Sequence, residues 1–339
     1  MRNVLIALIA AAAVVGSAHA QAPESQPAEA ATSQPAREWP AKERALIRDV
    51  ADMAQAGASR LHPEVVWAGI LDADRTEAVS EAFETALAAN SEESKRALLR
   101  ALELQFIHDP DASVLDLLGP ELTEHFRDFD WQFGDYPGGP EGPNEQTADI
   151  MVDALDLIFP ERRANRTRDA VVLRGEATEE VWEYMTNQWT PIPGETTFML
   201  NRHAADSYVR MREQAKKEGV DLVILSSHRL REVAERNAAK SGNPNAVASF
   251  SAHSLGLAVD FQMSHGDFES PEISTRPMSG VVHMRESPVH KWLFLRADDF
   301  GWFPYQNEPW HWEYNPPGFR ETFWQDYPGG APERDVEAG

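Results

Sequence analysis

Four side chains, distant in the sequence, have the types and local spacing to hold a divalent metal and activate water. The first group lies in Ser251-Ala252-His253-Ser254-Leu255-Gly256-Leu257-Ala258-Val259-Asp260-Phe261. Side chains alternate along a strand, so Leu257, Val259 and Phe261 point into a core while Ala258 and Asp260 point the other way. Gly256 lets the backbone bend, which returns His253 to the pocket beside Asp260. An imidazole and a carboxylate converging in this way are suitable zinc ligands.

The second group lies in Glu308-Pro309-Trp310-His311-Trp312-Glu313-Tyr314. Trp310, Trp312 and Tyr314 alternate onto one strand face and leave His311 and Glu313 on the other. Glu308 precedes His311 by three residues, and strict alternation would put it on the wrong face. Pro309 fits neither a central ladder nor a helix interior, so a turn there swings Glu308 back. The third ligand should lie in this segment; three protein ligands leave the fourth zinc position for water, and a nearby non-ligating carboxylate can take that water's proton. Together these parts make a water-activating hydrolase. A lone histidine is more often a hydrogen-bonded core residue than a ligand; the joint spacing of all four residues carries the assignment.

The elements that must position these groups can be read from hydrophobic periodicity. Ala204, Tyr208, Met211 and Ala215 form one face of a helix from Asn201 to Glu218, with Gly219 at its C-terminal cap. Val220 to Leu225 reads as a buried strand, followed by Ser226-Ser227-His228-Arg229 and a helix to Lys240. After the turn-rich 241–245 comes a strand over 257–263. A later helix opens with Ser287 as cap and Pro288 in its first turn, and ends at Gly301. This half is α+β, with a small sheet flanked by helices.

The half before it is helical. Leu46, Val50 and Met53 share a face that Gly57 terminates, and Val79-Phe83-Ala86 and Leu99-Leu102-Phe106 make similar stripes. Residues 134–143 form a Gly/Pro-rich loop and Thr147 to Phe159 a further helix. The pentapeptide Asp135 to Gly139 recurs as Asp326 to Gly330, a reused turn in neighbourhoods that do not otherwise repeat. At the N-terminus, Arg2, an apolar run from Val4 to Val15 and Ala18-His19-Ala20 make a secretory signal peptide. Residues 21–38 read as a flexible linker. The expected organisation is a signal peptide over 1–20, a linker over 21–38, a helical region of unknown role over 39–165, a peptidase domain over 190–325 and a tail over 326–339.

Composition narrows the function further. The net charge is −24 and becomes −25 once Arg2 leaves with the leader, which argues against binding nucleic acid or anionic lipid by bulk electrostatics. No stretch of the mature chain is apolar enough to span a membrane. An exported chain without cysteine relies on packing and metal for stability, and its metal site must be built from His, Asp and Glu.

The pattern Ser-x-His-x-x-Gly-x-Ala-x-Asp formed by Ser251, His253, Gly256, Ala258 and Asp260, with the Glu-x-x-His pattern of Glu308, Trp310 and His311, resembles the LAS superfamily of zinc peptidases. Within it, the chain is most similar to the VanY-like D-alanyl-D-alanine carboxypeptidases, over roughly Thr196 to Tyr314. The resemblance implies a small antiparallel sheet flanked by helices (the LAS/Hedgehog-type fold) and one Zn2+ on His253, Asp260 and His311, with Glu308 as base. It implies that Arg229 offsets negative charge on the reacting carbonyl oxygen or on a substrate carboxylate, and that Ser251 contacts substrate. The substrate implied is the peptidoglycan stem peptide; with the signal peptide, the expected location is secreted and periplasmic, and the sequence names no protein partner.

This chain departs from the family at Ser226-Ser227-His228-Arg229, where Ser-Gly-Tyr-Arg is common, and at Ala234, where glutamine is common. Substrate preference is therefore open among D,D-carboxypeptidase, L,D-carboxypeptidase and endopeptidase, and whether His228 lines the pocket is open with it. His290, in the first turn of its helix, reads as structural or exposed, and the tryptophans at 310 and 312 as core. A non-catalytic zinc-containing wall-binding module is the reading from another class. Glu308 argues against it, because a binding site needs no base.

Overall fold

The computed structural model describes residues 39–114, 117, 178–241, 251–264, 283–304, 308–328 and 330–331. The leader, the linker, the loop at 134–143, the helix at 147–159 and most of the turn at 241–245 lie outside the described residues. Elements are numbered in chain order over the described residues. Ala41–Gly339 forms one compact unit.

Four α-helices come first among the described residues: α1 (Ala41–Met53), which runs on into a π-helical turn (Ala54–Ala58), α2 (Pro63–Leu71), α3 (Glu77–Ala89) and α4 (Glu92–His108). Their ends follow local chemistry. The Thr76 side chain accepts from the Val79 N–H to start α3, and Asn90 closes it in the left-handed region. A reciprocal box between Ser91 and Ser94 starts α4. Val79, Phe83, Ala86, Leu99, Leu102 and Phe106 are all buried, whereas Met53 is only half-buried on the rim of its helix.

The remaining elements are α5 (Glu179–Thr186), β1 (Trp189–Pro191), β2 (Met199–Asn201), α6 (Arg202–Lys217), β3 (Ile224–Ser226), α7 (Arg231–Ser241), β4 (Ala258–Phe261), α8 (Pro288–Arg296), β5 (Trp302–Pro304), β6 (His311–Tyr314) and α9 (Phe319–Trp324). Four strands make an antiparallel sheet in the order β3-β4-β6-β5, and β1 and β2 form a separate antiparallel pair. The fold is α+β with small antiparallel sheets and an N-terminal helical region. Among the described residues no helix is long and apolar enough to cross a membrane.

Asn201 caps α6 by accepting from the His203 N–H, and the helix gives way at Gly219, whose φ is +80°. Ser287 caps α8, Pro288 fills its first turn, and the chain leaves through a 3-10 turn (Ala297–Phe300) at Gly301, φ +80°. The helix expected up to Gly301 therefore tightens in its last turn. One strand differs from its expectation. Only Ile224–Ser226 joins the ladder, and Val223 and Leu225 are 42% and 41% exposed while Leu222 and Ile224 are buried. The stretch is a half-buried edge strand, since continuous apolar composition does not reveal which neighbours cover each face.

The helical region is tied to α6 and α8 by buried polar contacts. Glu103 on α4 accepts from Ser59 Oγ at 2.6 Å and pairs with Arg296 on α8. Arg100 pairs with Glu218, which also accepts from Trp292 Nε1 at 3.0 Å. Lys291, fully buried, donates to the Asp109 carbonyl with its ammonium 5.4 Å from the centre of the Phe106 ring.

Candidate metal centre and active site

The site is assembled on the central strand pair. Antiparallel register sets Asp260 opposite His311 and Ala258 opposite Glu313, so all four side chains share one face of the sheet. His253 enters from the turn over 252–256, which closes through Gly256 N–H to the His253 carbonyl at 3.0 Å and Leu257 N–H to the Ala252 carbonyl at 2.9 Å.

Gly256 has φ +69°, and a Cβ there would lie 2.7 Å from the Asn201 nitrogen and 2.7 Å from Trp189 Cδ1. Both obstacles are tertiary: the Asn201 N–H donates to the Gly256 carbonyl at 2.8 Å, and the indole packs against the turn. Gly256→Ala is expected to cost about 2 kcal/mol or more from backbone strain plus the clash, read by urea denaturation. It should also displace His253 and weaken metal retention; an unchanged midpoint with full metal content would refute this account of the turn.

His253 Nε2 lies 3.2 Å from His311 Nδ1 and 3.3 Å from Asp260 Oδ1, and His311 Nδ1 lies 3.0 Å from Asp260 Oδ1. His253, Asp260 and His311 are all buried and form the group that can hold a metal ion among the described residues. Tetrahedral zinc with nitrogen and oxygen ligands at about 2.0–2.1 Å places those atoms about 3.3 Å apart, so the triangle already has the size the ion needs. Hydrogen bonding fits as well. His253 Nδ1 is bonded to the Ser227 carbonyl and His311 Nε2 lies 3.1 Å from Glu313 Oε1, so the N–H of each ring points outward and the remaining nitrogen faces the triangle.

Electrostatics follow from this crowding. Burial lowers the pKa of His253. Burial alone would raise the Asp260 carboxyl, but the two histidines hold it well below the usual carboxylate range. For His311, burial opposes the charge but is outweighed by the hydrogen bonds to Asp260 and Glu313, which push it up to about 10. Metal ligands must be deprotonated, so cation binding at this triangle is expected to be pH-dependent.

Glu308 reaches the same place through a turn in which the His311 N–H donates to the Glu308 carbonyl at 2.9 Å. Its Oε2 stands 3.8 Å from His311 Nδ1, and burial raises its pKa to about 7. Arg229 is near enough for its charge to act on both Glu308 and His253, and its Nη1 is 3.5 Å from Ser251 Oγ. The segment carrying it is fastened to the metal side twice, by the Arg229 N–H donating to the His253 carbonyl at 3.0 Å and by the Ser227 carbonyl accepting from His253. The structure brings together all six residues singled out from the sequence: Arg229, Ser251, His253, Asp260, Glu308 and His311.

Among the other histidines, His228 receives the Met199 N–H on Nδ1 at 3.3 Å and packs edge-on to Trp189. His283 is largely exposed and pairs with Glu286, and His290 is buried against Phe294. Two supporting groups have no assigned role in the sequence reading. The Ser227 carbonyl has no side-chain signature at all, while Glu313 was detectable only as the neighbour of His311 on one strand face.

Residues 197–317, which contain all six site residues, match the family model described as VanY, D-alanyl-D-alanine carboxypeptidase. No curated protein matches the chain. The match spans α6, the whole four-stranded sheet and both halves of the cluster, so the segment that carries the site is the part of the chain that is similar to the VanY D-alanyl-D-alanine carboxypeptidase family.

Proposed function

We propose that the protein is an exported, zinc-dependent D-alanyl-D-alanine carboxypeptidase that removes the terminal D-alanine from peptidoglycan stem peptides in the periplasm. The observation that carries the proposal is the triangle of His253 Nε2, Asp260 Oδ1 and His311 Nδ1, with edges of 3.0–3.3 Å and both outward ring nitrogens occupied. Zinc bound there supplies a Lewis acid that polarises a carbonyl and acidifies water.

The protein's own groups carry the remaining steps. Glu308 takes a proton from the attacking water on its carboxylate and returns it to the leaving amine, a task for which a pKa near working pH is well matched. Arg229 sets a fixed positive charge against the negative charge that develops on the carbonyl oxygen or that the substrate carboxylate brings. Ser251, beside Arg229, contacts the substrate. In a chain of net charge −24, attraction for an anionic wall peptide must come from such local groups.

The test is mass spectrometry of muropeptides digested with purified protein, with and without a chelator and with zinc restored. Loss of one alanine from pentapeptides, abolished by chelation and recovered with zinc, is the expected result. Alanine lost from tetrapeptides would assign an L,D-carboxypeptidase, and opened crosslinks an endopeptidase. Products insensitive to chelation would overturn the metal mechanism, and no products at all would leave the wall-binding module as the reading.

A further inference from the structure

We infer that Glu313 is a positioning residue that holds the His311 ring with Nδ1 turned to the metal, so that the centre binds zinc more tightly than its three ligands alone would. The inference rests on reading His253, Asp260 and His311 as a metal centre.

Glu313 follows His311 by two residues on β6 and therefore shares its face of the sheet. Its cross-strand neighbours are Ala258 on β4 and Phe303 on β5. A carboxylate flanked by two apolar side chains and largely withdrawn from water is costly without a donor. Here the small Ala258 leaves room for the acid to lie along the sheet, and its Oε1 lies 3.1 Å from His311 Nε2.

The bond is to the ring nitrogen opposite the one 3.0 Å from Asp260, so Glu313 stands outside the ligand set and cannot replace a ligand. Its effect is exerted through the imidazole. Accepting the Nε2 proton selects the tautomer with a lone pair on Nδ1, fixes the ring plane and raises the basicity of the ligand nitrogen. Among the described residues, the partner of His253 for the same purpose is a neutral carbonyl, that of Ser227. The two histidines are thus supported unequally, and the charged support falls on His311.

Zinc dissociation constants by chelator competition test the inference on Glu313→Ala and Glu313→Gln. Alanine is expected to weaken zinc binding about 10–100-fold. Glutamine, whose amide oxygen can accept the same proton, should fall between alanine and wild type. A glutamine variant as weak as alanine would assign the effect to the charge on the acceptor and support the same role.

In the zinc-loaded wild type, the His311 Nε2 proton should be visible by nitrogen-edited NMR and exchange slowly, with faster exchange in Glu313→Ala. Variants that bind zinc as tightly as wild type would overturn the inference. So would a fall in metal-free stability large enough to account for the whole loss of affinity. A wild-type protein that binds no zinc fails at the earlier step, the metal centre itself.

Discussion

Glu308→Gln is expected to keep its zinc and its fold while losing about 10²–10⁴-fold in kcat, the range a positioned general base contributes. Glutamine preserves the shape of the side chain but cannot accept the water's proton. Glu308 Oε2 is 3.8 Å from His311 Nδ1, beside the ligand triangle and outside it, so the substitution removes a base without removing a ligand. Metal content and rate therefore separate, whereas His253→Ala or Asp260→Asn would lower both. Hydrolysis that persists in a zinc-loaded Glu308→Gln protein would exclude Glu308 as the base.

The pH profile provides a second view of the same group. In the proposed mechanism Glu308 acts only when ionised, and burial raises its pKa to about 7 in the metal-free protein. Activity is therefore present above that pKa and lost as pH falls through it. A bound cation favours the ionised form, so the acid limb of kcat/KM should lie at or below about 7 and disappear from the residual rate of Glu308→Gln.

The second large effect concerns stability and lies away from the chemistry. Glu103→Ala should cost about 3–5 kcal/mol, because removing one member of a buried charge network leaves the others uncompensated. Glu103 is buried on α4, bonded to Ser59 and paired with Arg296 and Arg100. Loss of the acid leaves the guanidinium of Arg296, of which only 14% of the side chain reaches solvent, with Glu218 at 3.8 Å as its remaining carboxylate. Urea denaturation should show the loss, and adding Arg296→Met should restore part of it, since an apolar pair tolerates the site better than a buried cation that has lost its nearer carboxylate. A cost below about 1 kcal/mol would mean these pairs behave like exposed ones.

The parts of the site legible in the sequence are those set by short-range geometry. Alternation along Leu257 to Phe261 and Trp310 to Tyr314 fixes which side chains share a face, and a proline between Glu308 and His311 announces a turn. Caps such as Ser287 and Gly219 speak through their immediate neighbours in the same way. What was not legible depends on partners far along the chain. The Ser227 carbonyl that orients His253 is a backbone atom common to every residue type. The crowding at Gly256 comes from Asn201 and Trp189, 55 and 67 residues earlier by their numbers. Glu103 and Arg296 look like ordinary charged positions on two helices until the tertiary fold buries them together. Val223 and Leu225 failed for the same reason: an apolar run shows greasiness but not which side is covered.

The reciprocal ties between Ser227, Arg229 and His253 have an evolutionary consequence. One short peptide segment supports His253 and carries Arg229, so in the proposed enzyme a backbone change there would damage ion capture and charge recognition in a single step. Such a hinge leaves few half-working intermediates for drift to explore. In the proposed enzyme, new specificities would more readily arise from side-chain exchanges that leave both ties in place.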